Sequence, residues 1–444
     1  MTPCYPPQEL AALAARGVLL PAPHLVAIER DLPLEQIAPG AVLYPFCRLA
    51  GASTRIDAGA HIGPGGPATV VESWVGAGAR IGTLGPVTLL RTTAGPGTVL
   101  GCGEAEDAVF LGKETQDTPF TTGHGFRARH GTLFEEDASC AQHSETKMTV
   151  LLPWVTLGSN IVWCDVLVAG GTGPGLGAFT EIGSGAVHFN FTPRGDKATA
   201  SALGNAVAGV FLDQPRLFIG GNGSLIGPVQ ADFGALTLAG GRYAGHLTPG
   251  LNVPQAPEGR GVNLEEYGSI RRVVTSQVRF IADLAALAAW YDQVRDVVAL
   301  GQPERAALYR RGRAAVQANI QERIQQLHLL AQRMESSAAR IQAHHATDPR
   351  IAQQRAFARA WPRWQAHLSA WEACLTPAPA LLIQSLHAVL DQGAPAYTQA
   401  IRSLPPGAGH AGRGWLHALH ARVAPPELLA EIPTIPPAPH PAAH

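Results

Sequence analysis

An aliphatic residue recurs about every six positions over much of the first half of the chain, and small residues or glycine follow it. A period of six fits neither an amphipathic helix nor an alternating strand. It fits a coil of three short parallel strands per turn, with the aliphatic side chain inside and small residues at the corners. The pattern therefore predicts a mainly β fold, a left-handed parallel β-helix over residues 37–253, with Ile62, Ile81, Ile182 and Ile219 pointing inward.

Two segments of the N-terminal half depart from the six-residue period. Residues 1–36 precede the repeats and are expected to form an N-terminal helix or cap. Between about 104 and 150 the chain is polar and rich in Thr, His and charge, which predicts an irregular loop leaving the β-helix. Long irregular loops on a rigid scaffold often carry a functional site.

From residue 265 the spacing of apolar residues changes to three and four, which predicts an α-helical domain over 265–423. A linker at 255–263 precedes this domain, and a Pro-rich tail at 424–444, expected to be disordered, follows it. One predicted helix has a near-heptad pattern, which is typical either of a hairpin or self-association seam or of ordinary packing in a small bundle. The positions are Val316, Ile320, Ile324, Leu327, Ala331, Met334, Ala338 and Ile341.

Composition narrows the functional classes. The formal net charge is -1 and 15% of residues are charged, so no nucleic-acid partner is expected. Six widely spaced cysteines without a CxxC pair indicate reduced thiols. With neither a signal peptide nor a long uninterrupted apolar stretch, the sequence predicts a soluble cytoplasmic protein without a membrane span.

The segment TEIGSGAVHFNFTPRGDKATAS, residues 180–201, carries the most informative chemistry. It contains Asn190-Phe191, and the repeats after it contain Phe218-Ile219-Gly220, Pro228-Val229 and Ala239-Gly240. From about 156 to 241 the chain resembles the acetyltransferase domain of the bifunctional N-acetylglucosamine-1-phosphate uridyltransferase/glucosamine-1-phosphate acetyltransferase. It also resembles a divergent bacterial group described as UDP-N-acetylglucosamine pyrophosphorylases.

The resemblance implies an amino-sugar-phosphate acetyltransferase of UDP-N-acetylglucosamine biosynthesis that uses acetyl-CoA or a nucleotide-sugar. Asn190 would bind the sugar-phosphate substrate, and Lys197 or Arg194 would neutralise its phosphate. Gly221 and Ala239 would line the acetyl-CoA path between the subunits of a homotrimer. Lys147 is a further candidate for substrate binding, since it lies near the matched segment.

Two departures from the family pattern affect the chemistry. The alignment puts Asp165 where the family has its histidine base, and Phe191 replaces a tyrosine. We therefore expect either Asp165, with a pKa raised by burial, or His188 to act as the base. The nucleotidyltransferase half of the bifunctional enzyme is absent from the chain, so that activity is not expected.

Two other classes of function compete with the transferase. The first is a non-catalytic sugar-nucleotide-binding or scaffold protein that has the same fold. The second is a metal-dependent hydratase resembling the γ-class carbonic anhydrases, with ligands among His124, His130, His143 and His188. Polar loop histidines without a metal are favoured over that site. Glu135, Glu136 and Asp137 are interpreted as a solvated loop, and Glu145 is a further polar candidate.

Overall fold

The computed structural model describes residues 3–115, 120–192, 194–254, 263–393 and 395–435. Residues 27–252 form a parallel β-solenoid of about 12 turns. The strands are β1 Ala27–Ile28, β2 Val42–Leu43, β3 Cys47–Ala50, β4 Arg55–Ile56, β5 His61–Ile62, β6 Ala68–Val71, β7 Trp74–Val75, β8 Arg80–Ile81, β9 Val87–Leu90, β10 Thr93–Ala94, β11 Val99–Glu106, β12 Val109–Phe110, β13 Thr122–Ala128, β14 Leu133–Phe134, β15 Ser139–Cys140, β16 Glu145–Leu151, β17 Thr156–Leu157, β18 Val162–Val168, β19 Glu181–Ile182, β20 Val187–Phe189, β21 Ser201–Leu203, β22 Phe218–Ile219, β23 Ser224–Ala231, β24 Ala235–Thr237, β25 Arg242–Leu247 and β26 Gly250–Asn252.

Ten α-helical segments lie in the described residues. They are α1 Pro7–Ala15, α2 Ala206–Gly209, α3 Arg271–Trp290, α4 Asp296–Val298, α5 Pro303–His344, α6 Pro349–Ser369, α7 Ala380–Leu390, α8 Tyr397–Arg402, α9 Pro406–Val423 and α10 Pro426–Ala430. A π-helical turn, Tyr291–Arg295, joins α3 to α4. The helical region that follows the solenoid confirms the predicted order of the two architectures.

The interior of the solenoid is the apolar core that the period of six predicts. Ile62, Ile81 and Ile182 are 0% exposed and Ile219 is 1% exposed, and all four belong to one buried cluster inside the coil. Parallel pairing places equivalent residues of successive turns above one another, as where Ile62 pairs with Ile81. The predicted parallel β-helix and its inward residues are confirmed.

A second core lies outside the coil, on one of its faces. There Trp74, Val109, Leu133, Val150 and Leu167 point outward and pack with residues of the C-terminal helices. We call this surface the covered face; it consists of β4, β7, β10, β12, β14, the second halves of β16 and β18, and β21. The helices thus bury one side of the solenoid within the chain.

Helix α5 has 42 residues and runs along the covered face. At 1.5 Å per residue it is about 63 Å long. The near-heptad positions, Val316 to Ile341, are all buried, and α5 packs against α3 and α6 of the same chain. This packing agrees with the bundle interpretation of the heptad pattern.

Helix α3 is the central helix of this region. Together with the π-turn and α4 it spans Arg271–Val298, a stretch long and apolar enough to cross a membrane. Within the most apolar window, however, 83% of the residues are buried inside the protein. The stretch therefore behaves as the core helix of the bundle.

The predicted irregular loop at about 104–150 is wrong for most of its length. Strands β11 to β16 continue the parallel register through this segment, and residues 116–119 lie outside the described residues. Thr122 and Cys140 pair within the stack and are buried where other turns have aliphatic residues. These substitutions and the unequal turn lengths obscured the period of six in the sequence.

The ends of the predicted domains also differ from the structure. The pairing of β1 with β3 starts the solenoid before residue 37, and α1 precedes it. In the predicted tail, α10 forms a helix with Leu428 and Leu429 buried, while residues 436–444 lie outside the described residues. Most of the predicted linker, residues 255–262, also lies outside them.

Candidate functional site

A cleft of about 490 Å³ opens between the covered face and the first turns of α5. Aromatic and charged side chains line it from both sides: Asp57, Trp74, Lys113, Glu114 and Glu136 from the solenoid, and Glu304, Arg305 and Tyr309 from the helix. Concave sites with an apolar wall and a few polar groups are the usual form of small-molecule sites.

Trp74 forms the aromatic wall of the cleft, and its neighbours fix the orientation of its ring. Its Nε1 donates a hydrogen bond of 2.7 Å to Asp57 Oδ2. The guanidinium of Arg55 lies 5.2 Å from the centre of the Trp74 ring and forms ion pairs with Asp57 and Glu304. The ring is therefore already oriented before a ligand enters.

Arg305 supplies positive charge to the same cleft. Its Nη1 is buried and has no hydrogen-bond partner within the described ranges. Arg305 also lies in the first turn of α5, where the exposed backbone N–H groups and the helix dipole favour an anion. A buried guanidinium nitrogen that lacks a partner is costly, and a ligand oxygen would satisfy it.

A buried ionic cluster adjoins the cleft. Arg295 is 0% exposed, and its Nη1 lies 2.6 Å from Glu136 Oε1 while its Nη2 lies 2.9 Å from Glu135 Oε2. Burial raises the pKa of Glu135, and the charge of Arg295 opposes that rise. The interpretation of Glu135, Glu136 and Asp137 as a solvated loop is wrong, because all three are buried and residues of the π-turn pair with the two glutamates.

Three tyrosine rings surround Arg295 and complete the ionic cluster. The guanidinium carbon lies 3.7, 4.7 and 4.8 Å from the ring centres of Tyr397, Tyr291 and Tyr309. Tyr291 donates a hydrogen bond of 2.7 Å from its hydroxyl to Glu135 Oε1. Because Tyr309 and Glu136 also line the cleft, the ionic cluster forms a rigid floor beneath it.

Glu114, another carboxylate of the cleft, is committed to helix capping. Its oxygens accept hydrogen bonds from the backbone N–H groups of Tyr397 and Thr398 at 2.6 and 2.9 Å. Burial raises the pKa of Glu114, and the charge of Glu136 raises it further. Glu114 therefore fixes the start of α8 against the solenoid.

The site predicted from the sequence lies elsewhere on the solenoid, and α5 closes it. Asn190 donates a hydrogen bond from its side-chain amide to Asp165. Asp165 Oδ1 also accepts a hydrogen bond of 2.5 Å from Arg323 Nη2, and both side chains of this ion pair are buried. Asp165 and Asn190 are therefore in contact, with an arginine of the same chain beside them.

His188 occupies an inward position in β20 instead of a ligand-facing one. Its Nδ1 lies 2.6 Å from the carbonyl oxygen of Cys164, and its Nε2 lies 2.7 Å from Ser201 Oγ. Burial lowers the pKa of His188 to about 4, although the Cys164 carbonyl opposes the shift. The narrow interior accommodates this residue because two internal hydrogen bonds satisfy a neutral imidazole.

The predicted phosphate ligands lie in the loop after β20 and contact the helices. Arg323 Nη1 donates a hydrogen bond of 2.9 Å to the carbonyl oxygen of Lys197. The guanidinium of Arg194 lies 5.0 Å from the centre of the Tyr267 ring, and its carbonyl oxygen accepts a hydrogen bond of 2.9 Å from Arg333. The structure therefore ties the backbone of this loop to α5.

The remaining predicted residues lie on other parts of the solenoid. Lys147 pairs with Cys164 in the stack of β16 on β18, and Glu145 forms an ion pair of 2.7 Å with Arg129. Gly221 and Ala239 lie at corners of adjacent turns, where the N–H of Gly240 donates to the Gly221 carbonyl oxygen at 2.8 Å. None of these predicted residues lines the 490 Å³ cleft.

The four candidate histidines do not converge. The rings of His124 and His143 lie 5.5 Å apart on adjacent turns, whereas His130 lies 3.7 Å from Asp107 and His188 is inside the coil. Within the ranges that the structure describes, no group of three or more His, Cys, Asp or Glu residues could hold a metal ion.

The outward-facing residues of the solenoid strands carry a sequence signal for the cleft. In a solenoid with a solvated face, outward positions should be polar, yet Val109, Leu133, Val150 and Leu167 are outward and apolar. Strands that are apolar on both sides indicate burial on both sides. Trp74 and Arg55 occupy the outward positions where this apolar column ends, and the cleft opens there.

No protein-family model and no curated protein sequence matches this chain. Among the solved structures that match is a variant of GDP-perosamine N-acetyl transferase from Caulobacter crescentus in complex with CoA and GDP-perosamine. The match has 13% sequence identity and a TM-score of 0.09, and it covers 55% of this chain and 60% of that one. A match of this extent and quality carries no information about the chemistry of this chain.

Proposed function

We propose that this protein binds a phosphorylated sugar, free or as part of a nucleotide-sugar, in the cleft between the covered face and α5. The observation that carries the proposal is the buried, unpartnered Nη1 of Arg305, in the same cleft as a fixed tryptophan ring. A guanidinium suits the planar recognition of phosphate oxygens, and an oriented aromatic ring offers a flat apolar surface to a sugar or base.

Each part of such a ligand would meet a suitable group. The phosphate would meet Arg305 at the start of α5, in a cleft that Lys113 lines from the solenoid side. The sugar or base would stack on Trp74, and its hydroxyls would meet Gln302 and the hydroxyl of Tyr309. The volume of about 490 Å³ lies within the range of about 300–1,000 Å³ that is typical of small-molecule pockets.

This proposal corresponds to the non-catalytic sugar-nucleotide-binding hypothesis. Catalysis by the predicted base would require His188 or Asp165 to exchange a proton with a ligand. His188 already uses both ring nitrogens inside the coil, and Asp165 is paired with Arg323. The acetyl-CoA-dependent transferase and the homotrimer remain predictions; the first requires CoA binding, and light scattering tests the second.

Isothermal titration calorimetry with five probes tests the proposal. UDP-N-acetylglucosamine and N-acetylglucosamine 1-phosphate should bind, and N-acetylglucosamine without phosphate should bind more weakly. UDP alone shows whether the nucleotide contributes, and CoA tests the transferase prediction. Failure of both phosphorylated sugars to bind would overturn the proposal.

Arg305→Gln identifies the site of binding. We expect it to weaken binding of the phosphorylated probes about 10- to 100-fold, because one charge-assisted hydrogen bond contributes about 1.5–3 kcal/mol. Arg311→Gln is the matched control, since Arg311 is exposed on the same helix and does not line the cleft. If Arg305→Gln binds the probes as well as Arg311→Gln does, the cleft is not the site.

A further inference from the structure

A second cavity of about 220 Å³ lies at the other end of the covered face, between the last turns of the solenoid and helices α3 and α9. Its titratable side chains come from three elements that are distant in sequence. They are Asp232 and His246 from the solenoid, Arg279 and Asp283 from α3, and His417 and His420 from α9. None of them lines the cleft at Arg305.

Asp283 is the unusual member of this group. It is 7% exposed, and within the described part of the chain it forms no ion pair, although the backbone N–H of Ala206 hydrogen-bonds to it. Burial raises the pKa of Asp283 to about 7, against the opposing effects of that N–H and of Arg279. Arg279, one helical turn earlier, is exposed to solvent. A buried carboxylate without a paired cation is normally unfavourable.

The other lining side chains include a carboxylate and imidazoles. His246 Nε2 lies 3.0 Å from Asp232 Oδ1. Burial lowers the pKa of His420 to about 4, so its ring is neutral at pH 7 and can accept or donate a hydrogen bond. The cavity therefore offers two carboxylates and hydrogen-bonding imidazoles to a ligand, while the Arg279 side chain at its margin is exposed to solvent.

We propose that this cavity binds a small ligand through an ammonium group, with Asp283 as the buried counter-charge and Asp232 as a second carboxylate of the lining. An ammonium donates up to three hydrogen bonds, which matches a site that contains carboxylates and the neutral imidazole of His420. The cavity is smaller than the lower limit of about 300 Å³ for drug-sized ligands, so the ligand is a small amine. The site is separate from the proposed sugar-phosphate cleft.

Pairs of probes that differ only in the charged group test the proposal. Glucosamine is compared with glucose, and putrescine with butane-1,4-diol, by calorimetry at pH 7. We expect at least one amine to bind about tenfold tighter than its hydroxyl analogue, because only the ammonium can pair with Asp283. If neither amine binds better than its analogue, the proposal is wrong.

Asp283→Asn places the interaction in this cavity. The variant keeps the size of the side chain and removes the charge, so it should lose the preference for the amine. It should melt at or above the wild-type temperature at pH 8, because a buried unpaired carboxylate is removed. Asp391→Asn, at an exposed position after α7, is the matched control and should keep the preference.

Arg305→Gln distinguishes failure of this proposal from failure of the proposed function. It should leave amine binding unchanged while it weakens binding of phosphorylated sugars. An amine preference that survives Asp283→Asn, or one that Arg305→Gln removes, would assign the binding to another place.

Discussion

Two arginines of α5 face the same side of the solenoid and have opposite environments. Arg323 is buried against Asp165, with a second hydrogen bond to the Lys197 carbonyl oxygen. Arg305, about five helical turns earlier, leaves Nη1 without a partner in a cleft. Both Nη atoms of Arg323 are paired within the chain, and its ion pair with Asp165 holds α5 against the solenoid. Arg305 has a nitrogen without a partner and is suited to bind a ligand.

The largest effect should follow from breaking the ion pair between Arg323 and Asp165. Arg323→Ala leaves Asp165 buried without its cation, which should lower the free energy of unfolding by about 3–5 kcal/mol. Urea denaturation measures the change. Combining Arg323→Met with Asp165→Asn removes both charges and should recover much of the loss. An Arg323→Ala variant as stable as wild type would show that the ion pair contributes little to the free energy of unfolding.

A second effect concerns the pH dependence of stability and the buried imidazole of His188, near the Arg323–Asp165 ion pair. The pKa of His188 is lowered to about 4 in the folded protein, against about 6.5 when unfolded. The neutral His188 therefore contributes full stability above pH 6.5, and this contribution is lost as the pH falls towards 4. Integrated over this range, the contribution is about 3 kcal/mol.

Urea denaturation of wild type and His188→Gln at pH 7.5 and 4.5 isolates the contribution of this histidine. The stability difference between the two pH values should shift by about 2–3 kcal/mol in the variant. Other buried groups shift their pKa values as well, but they are common to both proteins. An equal pH dependence in the two proteins would contradict the buried, neutral state of His188.

In the cleft that contains Arg305, a substitution should affect ligand binding more than the stability of the fold. Trp74→Leu removes the aromatic surface of the cleft, and loss of stacking should weaken a phosphorylated sugar or nucleotide-sugar by about 1–2 kcal/mol, roughly 5- to 30-fold. Calorimetry measures the affinity, and circular dichroism checks that the fold is retained. Unchanged affinity would mean that the ligand does not contact this ring.

The smallest effect is expected at Lys147, which belongs neither to the Arg323–Asp165 ion pair nor to the lining of the cleft. Lys147→Ala should change the free energy of unfolding by less than about 0.5 kcal/mol and leave ligand binding within twofold, because Lys147 does not line the cleft. Thermal melting and calorimetry measure both quantities. A large loss of binding would instead support the sequence-based assignment of Lys147 to the substrate.

The repeating interior was predictable because every turn repeats one physical requirement. Ile62 and Ile182 must fill a narrow prism, and a local pattern of six residues records that requirement. The ionic cluster was not predictable in the same way. Glu136 is separated from Arg295 by 159 positions, and only the packing of the π-turn onto the solenoid places them in contact.

The candidate site shows the same limit. The proximity of Asp165 and Asn190 followed from their positions on stacked turns, whereas the insertion of Arg323 depends on how α5 crosses those turns. Polar residues in a loop-like segment predict an exposed surface, because local sequence does not reveal a covering helix. Long-range packing therefore decides which polar residues of this chain are open to ligands.

Helix α5 also changes how the solenoid should unfold. In a simple solenoid each turn contacts only its neighbours, so turns can unfold one after another from either end. Here Arg55 near the first turns pairs with Glu304, Gly131 in the middle accepts from Asn319, and Asp165 further on pairs with Arg323. One rigid rod thus fastens turns that do not touch each other, and their opening becomes a single cooperative event.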